Sequence, residues 1–141
     1  MGARLKRFRF GAKRASPSPE EKLRSIMIDR YELGSIIIGG KKYVDDVIIL
    51  PEKIIDGWRR KESHRLSVDD LKDILARQPK PDVFVVGTGF YGRVKVPSQV
   101  VSALESRGIE LVVEPTHLAS KTFNRLLESG KNAVAAFHLA S

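Results

Sequence analysis

The sequence has no cysteine among its 141 residues, and it holds only three histidines, two methionines and one tryptophan. The absence of cysteine excludes disulfide bonds, thiolate metal ligands and cysteine nucleophiles. The sequence also lacks an apolar run long enough to cross a bilayer or to form the core of a secretory signal. We therefore expect a soluble, cytoplasmic protein that stays off membranes and folds without disulfides or metals.

Amide side chains are scarce, with two asparagines and two glutamines beside 30% charged residues, a bias that favours a thermophilic source. The net charge is +8, but residues 1–24 hold eight basic and two acidic residues and account for most of it. The other 117 residues are nearly neutral, with 17 basic and 15 acidic side chains. We predict a basic, flexible N-terminal arm over residues 1–24 and a single α/β domain over residues 25–141.

The arm is the part of the chain whose composition suits nucleic acid. Scattered cations with interleaved phenylalanines can pair with phosphates and stack on bases. The candidates for contact with RNA or a ribosome are Arg4, Lys6, Arg7, Arg9, Lys13 and Arg14. A solvated tail and an organelle-targeting presequence share this composition, so three interpretations of the arm remain open.

The chain after residue 25 reads first as strands and then as alternating helices and strands. Apolar runs at 26–28, 36–38 and 43–50, separated by glycine turns, predict an N-terminal β-meander of three strands, and we interpret Ile54-Ile55 as a short fourth segment. Helices then begin near the cap residues Ser67 and Thr116 and near Pro97, with apolar stripes that include Val68 in the first helix and Ala119, Phe123, Leu126 and Leu127 in the third. Strands follow at 82–86, 109–114 and 133–139, and the apolar runs at 82–86 and 109–114 are typical of buried strands. This alternation predicts a three-layer α/β fold, with a central mixed, mostly parallel sheet flanked by helices.

A glycine-rich turn follows the most strongly apolar of these strands. Residues 82–86 form a nearly all-apolar run between proline and glycine, which is typical of a strand buried on both faces. Gly87, Gly89 and Gly92 come next and leave main-chain N–H groups uncovered by side chains. Ligands of such sheets collect at the carboxyl ends of the strands, so we expect the functional site here.

The glycine spacing imitates a dinucleotide-binding fingerprint. Residues 87–92 read Gly-x-Gly-x-x-Gly, and Glu114 follows at the end of a strand. In the true fingerprint the helix begins within the glycine run, whereas here it is delayed to Pro97. Phe90 and Tyr91 also fill the space of a phosphate. We therefore predict no nicotinamide or flavin cofactor.

Other catalytic and metal-binding patterns are also missing. His64, His117 and His138 have no paired spacing, so a histidine metal site is not expected. Asp45 and Asp46 would point to opposite faces of a strand and would not converge as a carboxylate pair. There is no serine nucleophile elbow and no Walker motif. We predict no catalytic residue, no metal and no cofactor, and we interpret His138 as a hydrogen-bonded core residue.

A second polar segment, residues 58–66, places the single tryptophan beside three consecutive cations. The candidate ligand or partner residues come from this segment and from the glycine turn: Trp58, Arg59, Arg60, His64, Thr88, Gly89, Tyr91, Gly92 and Arg93. Cations, hydroxyls and uncovered N–H groups suit a small anion or a partner's carboxylate. The alternative is that Trp58 fills the edge of the core while Arg59 to Lys61 are solvated.

Four segments, residues 28–36, 43–51, 58–66 and 87–97, together resemble the Mth-type domain of unknown function. That family includes a vertebrate cytosolic protein linked to adipogenesis and the mitochondrial NADH dehydrogenase (complex I) assembly factor three. The resemblance covers about residues 26–139 and implies a three-layer α/β fold, no established catalytic activity and, in the best understood relative, an assembly role. Gly57 and Ser63 depart from the family pattern, and the arm lies outside it.

These features favour a non-enzymatic protein-interaction or assembly-factor-like module that presents both segments to a protein partner. The first alternative is a cleft that binds or transforms a small anionic molecule, with Arg59, Arg60 and Arg93 as clamps and His64 as the acid or base. The second alternative is association with RNA or a ribosome through the arm.

Overall fold

The computed structural model describes residues 18–140, so the six predicted RNA-contact residues of the arm lie outside the described residues. Four α-helices, one 3-10 helix and eight strands occur within that range. In chain order they are α1 (Pro19–Ile26), β1 (Ile28–Glu32), β2 (Ser35–Ile38), β3 (Lys41–Tyr43), β4 (Val47–Leu50), β5 (Lys53–Asp56), the 3-10 helix (Asp69–Leu71), α2 (Lys72–Leu75), β6 (Val83–Thr88), α3 (Ser98–Ser106), β7 (Glu110–Glu114), α4 (Thr116–Glu128) and β8 (Ala133–His138).

The strands form two sheets. β1, β2 and β3 form an antiparallel sheet in chain order. The other sheet has five strands in the order β5-β4-β8-β6-β7, in which β6 runs parallel to β7 and β8, and β4 runs antiparallel to β5 and β8. This sheet is mixed, with two parallel and two antiparallel pairings, so the predicted excess of parallel pairs is absent. The hairpin of β4 and β5 supplies one antiparallel pairing, because so short a turn cannot join parallel strands.

The chain between residues 43 and 50 divides between the two sheets, although the sequence predicted it as the third strand of one meander. All four residues of β4 are buried, and a strand buried on both faces needs covering layers on both sides. β3 buries only Tyr43, which suits a small sheet with one solvated face. β4 therefore lies inside the five-stranded sheet, next to β8.

Apolar side chains cover both faces of the five-stranded sheet. On one face, Phe123 of α4 and Ile36 of β2 pack with Phe137 of β8. On the other face, Leu104 of α3 packs with Phe84 of β6. Every residue of β6 and β8 is buried, which confirms the predicted burial of β6 on both faces. The sheet therefore supplies a rigid frame for the loops at its edges.

The helices differ from the predicted ones in three respects. α1 was not predicted, although Ser18 and Glu21 form a reciprocal capping box at its start. α2 is a short helix after a 3-10 turn, and Val68 is exposed rather than part of an apolar stripe. Thr116 is the first residue of α4 and makes no cap bond there, since its hydroxyl is used elsewhere.

β7 is the last strand of the five-stranded sheet, whereas the sequence predicted it as buried. Val113 is 43% exposed, and Glu110 is also exposed. An apolar run does not distinguish a central strand from an edge strand, because strand order depends on the crossovers. Within residues 18–140, no helix has the length and hydropathy that a membrane-spanning segment requires.

Candidate functional site

One edge of the five-stranded sheet collects the loops that the sequence singled out. β6, β7 and β8 run parallel and end there, while the antiparallel β4 begins there and β5 ends there. We call this the carboxyl edge, and it is marked by Asp46, Gly57, Thr88, Glu114 and His138. The glycine loop (residues 87–93) and the Trp58 segment (residues 58–66) both leave from it.

Thr116 joins the ends of the parallel strands. Its hydroxyl donates to the His138 carbonyl at 2.6 Å and accepts the Gly89 N–H at 2.9 Å. The Thr116 N–H also donates to the Gly89 carbonyl at 3.1 Å. These three bonds fix the start of the glycine loop against β8 and α4. The sequence had assigned Thr116 only a helix-capping role.

Two of the loop's glycines have clear physical reasons. A Cβ on Gly87 would lie 2.7 Å from the ring of Phe137 and 2.8 Å from the hydroxyl of Thr116, so no larger side chain fits. Gly89 has a φ of 103°, a backbone conformation that other residues rarely adopt. Close packing and backbone conformation therefore account for the glycines without a bound phosphate.

The Trp58 segment lies directly beside residues 94–96, which follow the glycine loop. The Lys95 N–H donates to the His64 carbonyl at 2.7 Å, and the Leu66 N–H donates to the Lys95 carbonyl at 2.9 Å. At its other end the Trp58 N–H donates to the Asp46 carbonyl at 2.9 Å. The structure thus brings together the two segments that the sequence predicted to form one site.

A buried ion-pair cluster, which the sequence did not predict, holds this arrangement. The Asp46 carboxylate pairs with Arg60 at 2.8 Å and with His138 Nδ1 at 2.8 Å, and it accepts the Leu139 N–H at 2.9 Å. Arg60 also donates to the Ser63 carbonyl at 2.6 Å. The side chains of Arg60 and Asp46 are only 5% and 18% exposed. The cluster ties the Trp58 segment to β4 and β8, and it confirms His138 as a hydrogen-bonded core residue.

The cluster changes the acidity of Asp46. Burial alone would raise the pKa of this carboxyl, but hydrogen bonds from His138, the Leu139 N–H and Arg60 outweigh burial and lower the pKa from 3.8 to about 2. Asp46 is therefore ionised at every pH at which the protein is expected to work.

The lowered pKa predicts a specific loss of stability in acid. The folded state binds its proton more weakly than the unfolded chain, so ionised Asp46 stabilises the fold above pH 3.8 and progressively less as the pH falls towards about 2. The difference in unfolding free energy between the native chain and Asp46→Asn should shrink over that interval. Urea titrations at several pH values measure it, and a difference that does not vary with pH would contradict the role of Asp46.

The candidate residues divide into inward and outward groups. Arg60 is held by the cluster, and the Thr88 hydroxyl is buried and donates to the Glu114 carbonyl at 3.2 Å. Arg59, Tyr91 and Arg93 are exposed. Trp58 is half-buried against the core, with the Arg60 guanidinium 5.2 Å from its ring centre. His64 is exposed, and its ring meets that of His138 edge-on at 6.0 Å. Gly92 is exposed and has a φ of 68°, a conformation that favours glycine.

Exposed apolar side chains lie around the same edge. Tyr91 is 61% exposed, and its ring contacts Phe90 at 5.0 Å and the Arg93 guanidinium at 5.1 Å. Phe90 also faces Tyr31 of β1 at 6.4 Å, and the Tyr31 hydroxyl donates to the Leu139 carbonyl at 2.6 Å.

A pocket of about 260 Å³ lies on the β4 side of this edge, lined in part by Gly34, Val44, Trp58 and Arg59. Val44 and the neighbouring Leu33 are exposed. Among the described residues, no three histidine, aspartate or glutamate side chains are placed to hold a metal ion together.

Comparison with known proteins places the chain in a family. A family model described as "Protein of unknown function (DUF498/DUF598)" matches residues 28–138. The chain belongs to this family. The match confirms the resemblance drawn from the sequence, and a Bordetella pertussis structure titled a Mth938-like domain agrees with it in fold (17% identity, TM-score 0.64, 89% of this chain and 92% of that chain).

Other relatives of this family member carry more informative names. It is 28% identical over 123 residues to the human protein named NADH dehydrogenase [ubiquinone] 1 alpha subcomplex assembly factor 3, and 27% identical over 112 residues to the rat protein of that name. The matches cover 87% and 79% of this chain but only 66% and 60% of those relatives, less than two thirds of their length. A conserved hypothetical protein of Pyrococcus horikoshii OT3 is similar in structure (27% identity, TM-score 0.71, 82% of this chain and all of that one).

Proposed function

We propose that this chain is a non-enzymatic interaction module of the assembly-factor type. In this proposal a three-layer domain with an N-terminal meander presents its carboxyl edge to a protein partner. The observation that carries the proposal is the exposed pair Phe90 and Tyr91 on a loop whose backbone is fixed by Thr116. Aromatic residues held on a rigid frame are the usual centres of binding energy at protein interfaces.

The surroundings of this pair support a protein partner more than a small ligand. Phe90, Tyr91 and Arg93 form an apolar and cationic surface that projects from the molecule, rather than lining an enclosed cleft. Arg60, one of the three predicted clamps for an anion, already pairs with Asp46. The name shared by the human and rat relatives also supports an assembly role.

Substitution of an exposed side chain of the glycine loop should weaken partner binding without unfolding the protein. Affinity purification from the native source should recover a stoichiometric partner with the unchanged chain, and Tyr91→Ala or Arg93→Ala should weaken its binding by at least about tenfold. Because both side chains are exposed, stability should change by no more than about 0.5 kcal/mol.

Arg125→Ala is the matched control, because Arg125 is exposed in the last turn of α4, remote from the carboxyl edge. It should keep full binding. Recovery of the unchanged chain alone under gentle conditions, or equal binding by all three variants, would contradict the proposal.

The other interpretations from the sequence remain predictions. They are the binding or turnover of a small anion, association with RNA or a ribosome through residues 1–24, a cytoplasmic location and a thermophilic source. No contact among the described residues favours one of them over the docking surface at the carboxyl edge.

A further inference from the structure

A pocket of about 290 Å³ lies at the edge of the five-stranded sheet opposite the carboxyl edge. β4 ends at this edge and β8 begins there, and Pro51 and Ala133 of the lining mark the two strands. α1 forms one wall of the pocket, and the end of α4 forms another. The pocket is therefore separate from the proposed docking surface, and its ligand is a question beyond the proposed function.

The floor of this pocket is apolar, whereas its rim is cationic. Ile26, Leu127 and Ala133 are buried at the floor. Lys22 and Lys131 are exposed, and among the described residues that line the pocket they are the only charged ones. Neither lysine takes part in an ion pair with another of residues 18–140. The pocket thus offers two ammonium groups beside an apolar surface.

Local sequence features place both cations at the pocket. Lys22 comes four residues before the buried Ile26, so it lies on the face of α1 that turns towards the sheet. An amphipathic helix usually carries an apolar residue at such a position. Gly130, with a φ of 84°, follows the end of α4, and the Lys131 N–H donates to the Leu126 carbonyl at 3.1 Å. This turn brings Lys131 beside the start of β8.

The one uncharged polar residue of the lining, Asn132, already has hydrogen-bond partners. Its main-chain N–H donates to the Asp82 carboxylate at 2.8 Å, and its main-chain carbonyl accepts the Asp82 N–H at 2.8 Å. Its side-chain nitrogen donates to the Lys80 carbonyl at 3.4 Å. A polar group placed at the apolar floor would lack a partner, which is costly. The inner part of a ligand must therefore be apolar, and its anionic group must stay at the rim.

We propose that this pocket binds a medium-chain carboxylate, with its alkyl chain against Leu23, Ile26 and Leu127 and its carboxylate between Lys22 and Lys131. One molecule of liquid water occupies about 30 Å³, so the pocket holds about ten groups of that size, which corresponds to a chain of about eight to ten carbons. The charge of the rim favours a carboxylate over a neutral amphiphile. α1 precedes residues 28–138, so the family match does not account for this site.

Calorimetric titration of the lipid-free full chain with hexanoate, octanoate and decanoate at neutral pH tests the proposal. The affinity should rise about fourfold for each added methylene group, as expected when each one is buried. Decanol, which has the chain of decanoate without its charge, should bind about tenfold more weakly than decanoate. Decanoate should shift the methyl resonances of Ile26 and Leu127 but not those of Leu104, which packs on the other face of the sheet.

A double charge reversal tests the role of the rim. Lys22→Glu/Lys131→Glu should weaken the binding of decanoate at least tenfold, roughly the loss expected from two exposed pairs, and should leave the binding of decanol unchanged. The matched control is Lys72→Glu/Lys121→Glu, because both of its lysines are exposed and neither lines the pocket. This control should bind decanoate as the unchanged chain does.

Four results would overturn the proposal. They are the absence of saturable decanoate binding, an affinity that does not vary with chain length, equal affinities of the two double variants, and shifts confined to Leu104. Nuclear Overhauser contacts between the Leu127 methyl groups and residues 1–17 in the ligand-free chain would overturn it as well, because the chain itself would then fill the pocket. Retention on phosphatidylglycerol vesicles without binding of free decanoate would indicate a bilayer surface instead and would also overturn it.

Discussion

Asp46→Ala is expected to lower the unfolding free energy by about 3–5 kcal/mol, the usual cost of removing one partner of a buried ion pair. The Arg60 guanidinium, only 5% exposed, would keep its charge without its carboxylate. The Leu139 N–H and the His138 ring would lose an acceptor at the same time. Urea unfolding followed by fluorescence of the nearby Trp58 measures the loss.

Asp45→Ala is the matched control, since it removes the neighbouring carboxylate, which is exposed. Its effect should stay within about 0.5 kcal/mol. Exchange of amide hydrogens in residues 58–66 should accelerate in Asp46→Ala and not in Asp45→Ala. Similar stabilities for the two variants would show that the cluster does not hold the Trp58 segment.

Gly87→Ala is the second large effect, with an expected loss of about 3 kcal/mol from overpacking. Replacing glycine by alanine within a strand normally raises the unfolding free energy slightly. A decrease in the unfolding free energy would therefore indicate a steric clash. Here the added methyl group would lie 2.7 Å from the Phe137 ring and 2.8 Å from the Thr116 hydroxyl. The variant should therefore lose stability and also loosen the Gly89 to Thr116 bonds that fix the glycine loop.

Gly130→Ala controls for the substitution alone, because nothing lies within 4 Å of its added methyl group. Gly130 has a φ of 84°, so alanine there must adopt a left-handed backbone conformation. That conformation alone should lower the unfolding free energy by about 1–2 kcal/mol. Phe137→Leu should relieve part of the clash, so the combination of Gly87→Ala and Phe137→Leu should cost less than the sum of the two losses. Strict additivity would contradict a steric origin.

Short-range sequence patterns predicted the individual strands and the buried faces of the helices. The run before Gly87 identified β6, and the spacing of Ala119, Phe123 and Leu127 identified the buried face of α4. The order of strands could not be predicted in the same way. β4 and β7 have similar apolar sequences, yet β4 is enclosed by neighbours and β7 is at an edge, because the crossovers and not the strands decide the order.

The sequence predicted that the glycine loop and the Trp58 segment lie together, but it did not predict the side-chain contacts that hold them. The rule that loops collect at the carboxyl ends of parallel strands placed the glycine loop at this edge. The Trp58 segment reaches the same edge from β5, which pairs antiparallel with β4, so the rule does not cover it. The Asp46 cluster joins residues 46, 60 and 138, which no short-range spacing connects. The one local signal was an aspartate immediately before an all-apolar strand. Arg60 was predicted as a clamp for a bound anion, because its buried acceptor Asp46 lies 14 residues earlier in the chain and no local pattern connects the two.

The central claim is that the carboxyl edge docks a protein partner, and hydrogen–deuterium exchange of the chain with and without its purified partner tests this most directly. We expect slower exchange in residues 57–66 and 88–96 on binding, with little change in α2 and α3. Protection confined to α2 and α3, or a complex that forms equally well with Tyr91→Ala, would contradict it.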